Sequence, residues 1–220
     1  MRRNIFIIYL VLYCCQTVQA QKPSKNYILE KQMLDATGNQ AITTVIYYDG
    51  LGYPEETATN GLGGNGKYTF TQTEYDVPGR AVKEWIPGAT SSNGNYLFPS
   101  DFASSACSSF RDSYPFYTTE YDPLGRIVAK MGPGSNWNNA NKGIVKKYDT
   151  NTDSSVKKYV VSSSGSLEQS GFYASGTLSM EMTSDEDGKA IQIFSNIVGG
   201  KILERRDENN DTYYIYDDLG

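Results

Sequence analysis

The sequence predicts an all-β protein, a twisted antiparallel meander of hairpins joined in places by long loops. Three observations carry this. Tyr is abundant at 18 of 220 residues, and Gly stands at 21; tyrosine suits pleated strands and glycine suits the turns between them. A short Asp-x-x-Gly pattern recurs between apolar runs. No stretch sustains a long 3.6-residue apolar period.

Met1, Arg2 and Arg3 form a short basic start. Residues 5–13 are an apolar run ending at Cys14 and Cys15, and Val18-Gln19-Ala20 offers a small residue at a cleavage position. This is the pattern of a secretory signal peptide over residues 1–20, cut after Ala20. The run is too short to span a bilayer, so no transmembrane span is expected in the mature chain. Leu12-Tyr13-Cys14 lacks the small residues of a lipid-attachment signal. The expected destination is therefore the periplasm, the cell surface or the medium. Loss of Arg2 and Arg3 leaves 18 basic against 25 acidic residues, a balance of −7. That balance argues against nucleic acid as a partner. Cys107 is then alone among small residues and cannot form an internal disulfide, so packing must hold the exported chain.

Along the mature chain, residues 21–26 are polar. The ordered part is expected to begin at residues 27–34, and strands are expected at residues 42–48, 68–75, 81–86, 118–121 and 127–131. Further strands fall at residues 144–148, 156–161, 178–182, 190–194, 200–206 and 212–216, each rich in β-branched or aromatic side chains. Residues 57–67 read as a glycine-rich surface loop, since no Lys-Ser or Lys-Thr follows the last glycine as a phosphate cradle would need. Residues 88–116 and 132–142 are expected as the other long loops. Within the first, Ser100-Asp101 precedes a short helix ending at Phe110.

The recurring turn appears as Tyr48-Asp49-Gly50-Leu51-Gly52, Tyr75-Asp76-Val77-Pro78-Gly79-Arg80 and Tyr121-Asp122-Pro123-Leu124-Gly125-Arg126. It ends the chain as Tyr216-Asp217-Asp218-Leu219-Gly220, and Leu34-Asp35-Ala36-Thr37-Gly38 is a version without the Tyr. The aspartate accepts backbone N–H groups two residues on and closes the turn. The glycine supplies the positive φ that returns the chain to a strand. Asp49, Gly52, Asp76, Gly79, Asp122, Gly125, Asp185, Gly188, Asp217 and Gly220 are the turn residues, with Arg80 and Arg126 packing across the hairpins. Near the C-terminus, turns beginning at Asp185, Asn196, Asp207 and Asp217 recur about every 11 residues, one strand plus one turn.

Catalytic chemistry has little to build on. There is no histidine, so a Ser-His-Asp or Cys-His system and His-ligated zinc are excluded. The acidic clusters Asp185-Glu186-Asp187 and Asp207-Glu208 with Asp211 fall at turns, where acids serve solvation and turn closure. Asp149-Thr150-Asn151-Thr152-Asp153 places oxygen ligands alternately, yet lacks the glycine and distal glutamate of a calcium loop; an Asx turn is expected. No enzyme activity, metal or cofactor is expected. Trp137, in an Asn-rich stretch, is the one candidate for ligand contact.

The Tyr-Asp-x-x-Gly-Arg units resemble the Tyr-Asp (YD) repeats of Rhs-type proteins. Also similar are Tyr47-Tyr48-Asp49-Gly50-Leu51-Gly52-Tyr53-Pro54, Glu84-Trp85-Ile86-Pro87-Gly88 and Gly132-Pro133-Gly134-Ser135-Asn136-Trp137. So are Tyr148-Asp149-Thr150-Asn151, Asp185-Glu186-Asp187-Gly188-Lys189 and Thr212-Tyr213-Tyr214-Ile215-Tyr216-Asp217-Asp218-Leu219-Gly220. Over residues 26–220 the chain looks like the N-terminal domain of unknown function that precedes such repeats in large secreted proteins of Bacteroidota. Tyr53 and Gly200 depart from the pattern where an Arg often follows the turn glycine. The chain stops inside a motif at Gly220, which reads as truncation. The resemblance implies residues 21–180 as an irregular N-terminal β domain, residues 181–220 as the start of regular repeats, and a non-catalytic role in initiating a β-shell. The expected partners are then the missing repeats or another β-edge. The alternative is a cell-surface adhesion or carbohydrate-binding module, with glycans as partners.

Overall fold

The computed structural model describes residues 25–37, 40–61, 67–90, 93–206 and 210–216. The protein is mostly antiparallel β-sheet, as the composition and turn pattern predict. The described residues divide into two compact units, those up to 79 with 85–111, and 80–84 with those from 112 onward.

In the first unit, β1 (Asn26–Met33), β2 (Ala41–Tyr48), β3 (Pro54–Asn60) and β4 (Tyr68–Tyr75) pair in chain order, and β6 (Gly88–Thr90) adds to β4. Between β4 and β6 in sequence lies β5 (Ala81–Trp85), whose Trp85 belongs to this unit and whose other residues belong to the second. Two rows of side chains cross this sheet. Val45, Ala58 and Phe70 stand opposite one another and are fully buried. The next row is Tyr47, Glu56 and Gln72, also buried but polar.

Helix α1 (Pro99–Phe110) covers part of this core with Phe102 and Ala106. Proline at its start has the φ a first helical turn needs and no N–H to waste. Arg111 ends the helix in a left-handed conformation, its N–H donating to Cys107 O. The Phe102 ring meets Trp85 edge-on at 5.5 Å, and the indole N–H donates to Glu74 at 3.0 Å.

In the second unit the order is β5, β7 (Phe116–Tyr121), β8 (Ile127–Met131), β9 (Gly143–Thr150), β12 (Ser179–Ser184), β13 (Ala190–Ser195), β14 (Lys201–Arg206) and β15 (Asn210–Tyr213). Strands β10 (Lys157–Val161) and β11 (Leu167–Phe172) form a separate hairpin between β9 and β12 in sequence. A row across the sheet sets Met180, Phe194, Leu203 and Tyr213 side by side. With Val156, Leu178 and Ile202 they make the core.

Three loop expectations are corrected. Residues 57–60 belong to β3, because Glu56 and Ala58 point inward and extend the pairing to Asn60. Within 88–116 the expected short helix is present as α1, and strand replaces loop at Gly88–Thr90, which is β6, and at Phe116. Trp137 sits on a one-turn helix, α2 (Ser135–Asn139), rather than in a loop. The Asp112 carboxylate fixes the start of that turn by accepting from Ser135 N at 2.9 Å and Ser135 Oγ at 3.1 Å. Among the described residues no helix is long and apolar enough to cross a membrane. The signal-like residues 1–20 lie outside the described residues.

Candidate functional site

The turn residues share one geometry. At Asp122, Oδ1 accepts from Leu124 N and Arg126 N, both at 2.9 Å, while Gly125 N donates to Asp122 O and Asp122 N donates to Arg126 O. Asp49 makes the same four bonds with residues 51, 52 and 53, and Asp185 with residues 187, 188 and 189. Asn196 repeats them with residues 198, 199 and 200 through its amide oxygen. At Asp76 the Gly79 N–H donates to the aspartate carbonyl at 2.9 Å. Gly52, Gly79, Gly125, Gly188 and Gly199 all have φ between +81° and +90°. Ser162 and Gly165 build a serine version that the sequence pattern did not single out. Asp217 and Gly220 lie outside the described residues.

Three of these hairpins also carry a bulge at the same place. Tyr48 faces Pro54 but Tyr47 faces Glu56, so Glu55 is the extra residue. Val128 and Ile202 are its counterparts after the Asp122 and Asn196 turns. The extra residue shifts the alternation, and Ile202 and Leu203 are consequently both buried.

Four tyrosines that precede an aspartate, Tyr75, Tyr121, Tyr148 and Tyr216, reach back to a residue just past an earlier turn. Tyr75 OH donates to Pro54 O at 2.9 Å, Tyr121 OH to Ala81 O at 3.0 Å, and Tyr148 OH to Ile127 O at 3.3 Å. Tyr216 OH donates to Lys201 O at 2.9 Å. Each acceptor is the second residue after a turn glycine. The residue between them lies on the tyrosine ring. Tyr53 stacks on Tyr75 at 5.1 Å, the Arg80 guanidinium sits 4.5 Å from the Tyr121 ring centre, and Arg126 sits 4.0 Å from that of Tyr148. Tyr53, the departure from the arginine pattern, thus fills the same place with a flat ring. At the fourth rung that place belongs to Gly200, which has no side chain.

Electrostatics follows the turns. Desolvation raises the Asp122 carboxyl, but donation from Arg126 N–H, its guanidinium and Leu124 N–H outweighs this and leaves it below the ordinary range. Donation from Lys201 and then Arg206 takes the Glu204 carboxyl down to about 2. Asp112 is held low by the Ser135 and Tyr114 N–H groups.

Other sequence candidates take separate partners. The Asn151 carboxamide is buried, accepting from Leu178 N and donating to Ala174 O, both at 2.8 Å. Asp153 instead accepts from Ser175 N, and Asp149 from Thr150 N. A shallow cleft of about 440 Å³ beside Arg126 and Tyr148 contains Asp149 and Glu181. These carboxylates pair with Lys147 at 3.3 Å and Lys146 at 2.6 Å. Among the described residues no group of three or more Cys, Asp or Glu is placed to hold a metal ion. Trp137 is half exposed, with the Lys142 amine 5.6 Å from its ring. Sequence reasoning missed Glu56, which accepts from Gln72 Nε2 at 2.5 Å and from Leu97 N at 3.1 Å. Its only signal was an acid at an inward position of a strand.

These features define a mostly β chain in which one Asp- or Asn-closed turn recurs between successive strands. Residues 16–150 match the family described as Domain of unknown function (DUF6443), and the chain belongs to it. No curated protein matches the sequence.

Proposed function

We propose that this chain is a non-catalytic structural segment that opens the β-shell of a secreted YD-repeat protein. The observation that carries the reading is the rung: a tyrosine hydroxyl on the carbonyl two residues past the previous motif's turn glycine, made four times. Such a bond ties each motif to the one before it. A segment of this kind transmits register along an array, with nearest-neighbour contacts doing the work. Export of the chain after cleavage at Ala20 belongs to the same reading, supported by the basic, apolar and small-residue pattern of residues 1–20.

The test is N-terminal sequencing and intact-mass measurement of the product secreted by its own cell. The expected product starts at Gln21 and is far heavier than residues 21–220 allow. A product that keeps Met1, or whose mass equals residues 21–220, overturns the reading.

A further inference from the structure

The fourth rung differs from the others in a way that makes a site. Tyr216 keeps its hydroxyl bond to Lys201 O, but Gly200 stands where Tyr53, Arg80 and Arg126 cover the other tyrosines. The acid that holds Arg126, Asp122, is also replaced, by the neutral Asn196. Among the described residues no ring or cation lies on Tyr216, which is 46% exposed. The space beside it is a cleft of about 210 Å³, lined by Lys157, Tyr159, Tyr173, Asn196, Tyr213 and Tyr214 among others.

The chemistry of this cleft selects its occupant. Lys157 lines it, the Lys201 amine sits 4.9 Å from the Tyr214 ring, and the Asp211 carboxylate, 3.4 Å from the Tyr213 hydroxyl, is already paired with Arg205. A guanidinium, the occupant of two other rungs, is therefore disfavoured here. A neutral flat ring fits, as Tyr53 does over Tyr75. The volume is below the roughly 300 Å³ at which drug-sized pockets begin, so it seats a single ring. Several hydroxyls and the Asn196 carboxamide surround the rings, which suits a ligand with an apolar face and a polar rim.

We propose that the cleft binds one pyranose ring of a glycan, its C–H face stacked on Tyr216 and its hydroxyls toward Asn196 and the Tyr159 and Tyr173 hydroxyls. This site is separate from Trp137. It is tested by saturation-transfer NMR on the full chain with methyl β-D-glucopyranoside as the probe and phenol as the aromatic control. Transfer to the sugar ring protons is expected, falling at least five-fold in Tyr216→Ala and unchanged in Trp137→Ala. Far-UV circular dichroism checks folding. If Tyr216→Ala unfolds, Tyr159→Ala, which also lines the cleft, is expected to give the same loss. Absence of transfer to the glucoside overturns the proposal, as does transfer to phenol alone or transfer indifferent to both tyrosine variants.

Discussion

The Tyr121 hydroxyl donates to the Ala81 carbonyl at 3.0 Å, while Arg80, the neighbour of Ala81, lies across the Tyr121 ring. One side chain thus serves Ala81, the first residue of β5, and the residue before it. Tyr121→Phe removes only the hydroxyl and is expected to cost about 0.5–1.5 kcal/mol. Tyr121→Leu also removes the ring under Arg80 and is expected to cost a further ~0.5–1 kcal/mol. Urea midpoints of the two variants decide this. Equal midpoints would mean that the Arg80 stack contributes nothing.

Gly79 and Gly125 have nearly the same φ, +86° and +82°, but different surroundings. A Cβ at Gly125 meets only the Arg80 side chain at 3.5 Å, whereas at Gly79 it falls 2.3 Å from the Tyr53 hydroxyl oxygen. Gly125→Ala is expected to cost about 1–2 kcal/mol from the left-handed backbone alone. Gly79→Ala is expected to cost more, because Tyr53 must leave its stack on Tyr75. Calorimetric melting of both variants checks the order.

Glu204 is held as a carboxylate by Lys201 and Arg206, its pKa lowered to about 2 from the usual 4.5. A group depressed in the folded state contributes stability above its unfolded pKa and loses it as pH falls through the folded value. The destabilisation caused by Glu204→Gln is therefore expected to be constant above about pH 5 and to shrink between about pH 4.5 and 2. Unfolding curves of wild type and variant across that range provide the measurement. A difference that persists undiminished at pH 2 contradicts the ion-pair account.

Glu56 is 1% exposed and takes donors from Gln72 and Leu97. Glu56→Leu leaves the Leu97 N–H without its acceptor in the interior, while Gln72 Nε2 keeps only its bond to Leu97 O, and is expected to cost about 1–3 kcal/mol, the range for a buried donor left unsatisfied. Glu56→Gln keeps one acceptor oxygen and is expected to cost less. Hydrogen exchange at Leu97 N is expected to speed in both, more in the leucine variant. Unchanged exchange would remove the proposed role of this bond.

Much of the fold was legible because its causes are local. The positive φ of Gly52, Gly79 and Gly125 and the inward alternation of Val45 and Tyr47 follow from neighbours a few residues away. The short helix ending at Phe110 was legible from the cap signal Ser100-Asp101. What escaped depends on distant partners. Strand β11 carries Leu167, Glu168, Gln169 and Ser170 without clean alternation and pairs only because β10 turns back on it at Ser162. The rungs join residues 15 to 40 positions apart, so the role of Tyr121 toward Ala81 could not be read from either residue alone. Asp112 and Asn151 look like ordinary loop residues until Ser135 and Leu178 arrive beside them.

The strand order has a kinetic consequence. Within each unit nearly every strand pairs with the next one along the chain, and the pairing of β9 with β12 skips only the β10–β11 hairpin. Contacts of such short sequence separation demand little chain entropy to close, and folding rates rise as that separation falls. Hairpins closed by Asp49, Asp122 or Asp185 can each start the process without waiting for the chain ends to meet. Synthesis from the N-terminus then suits the molecule, since most new strands of the large sheet emerge to find a partner already made.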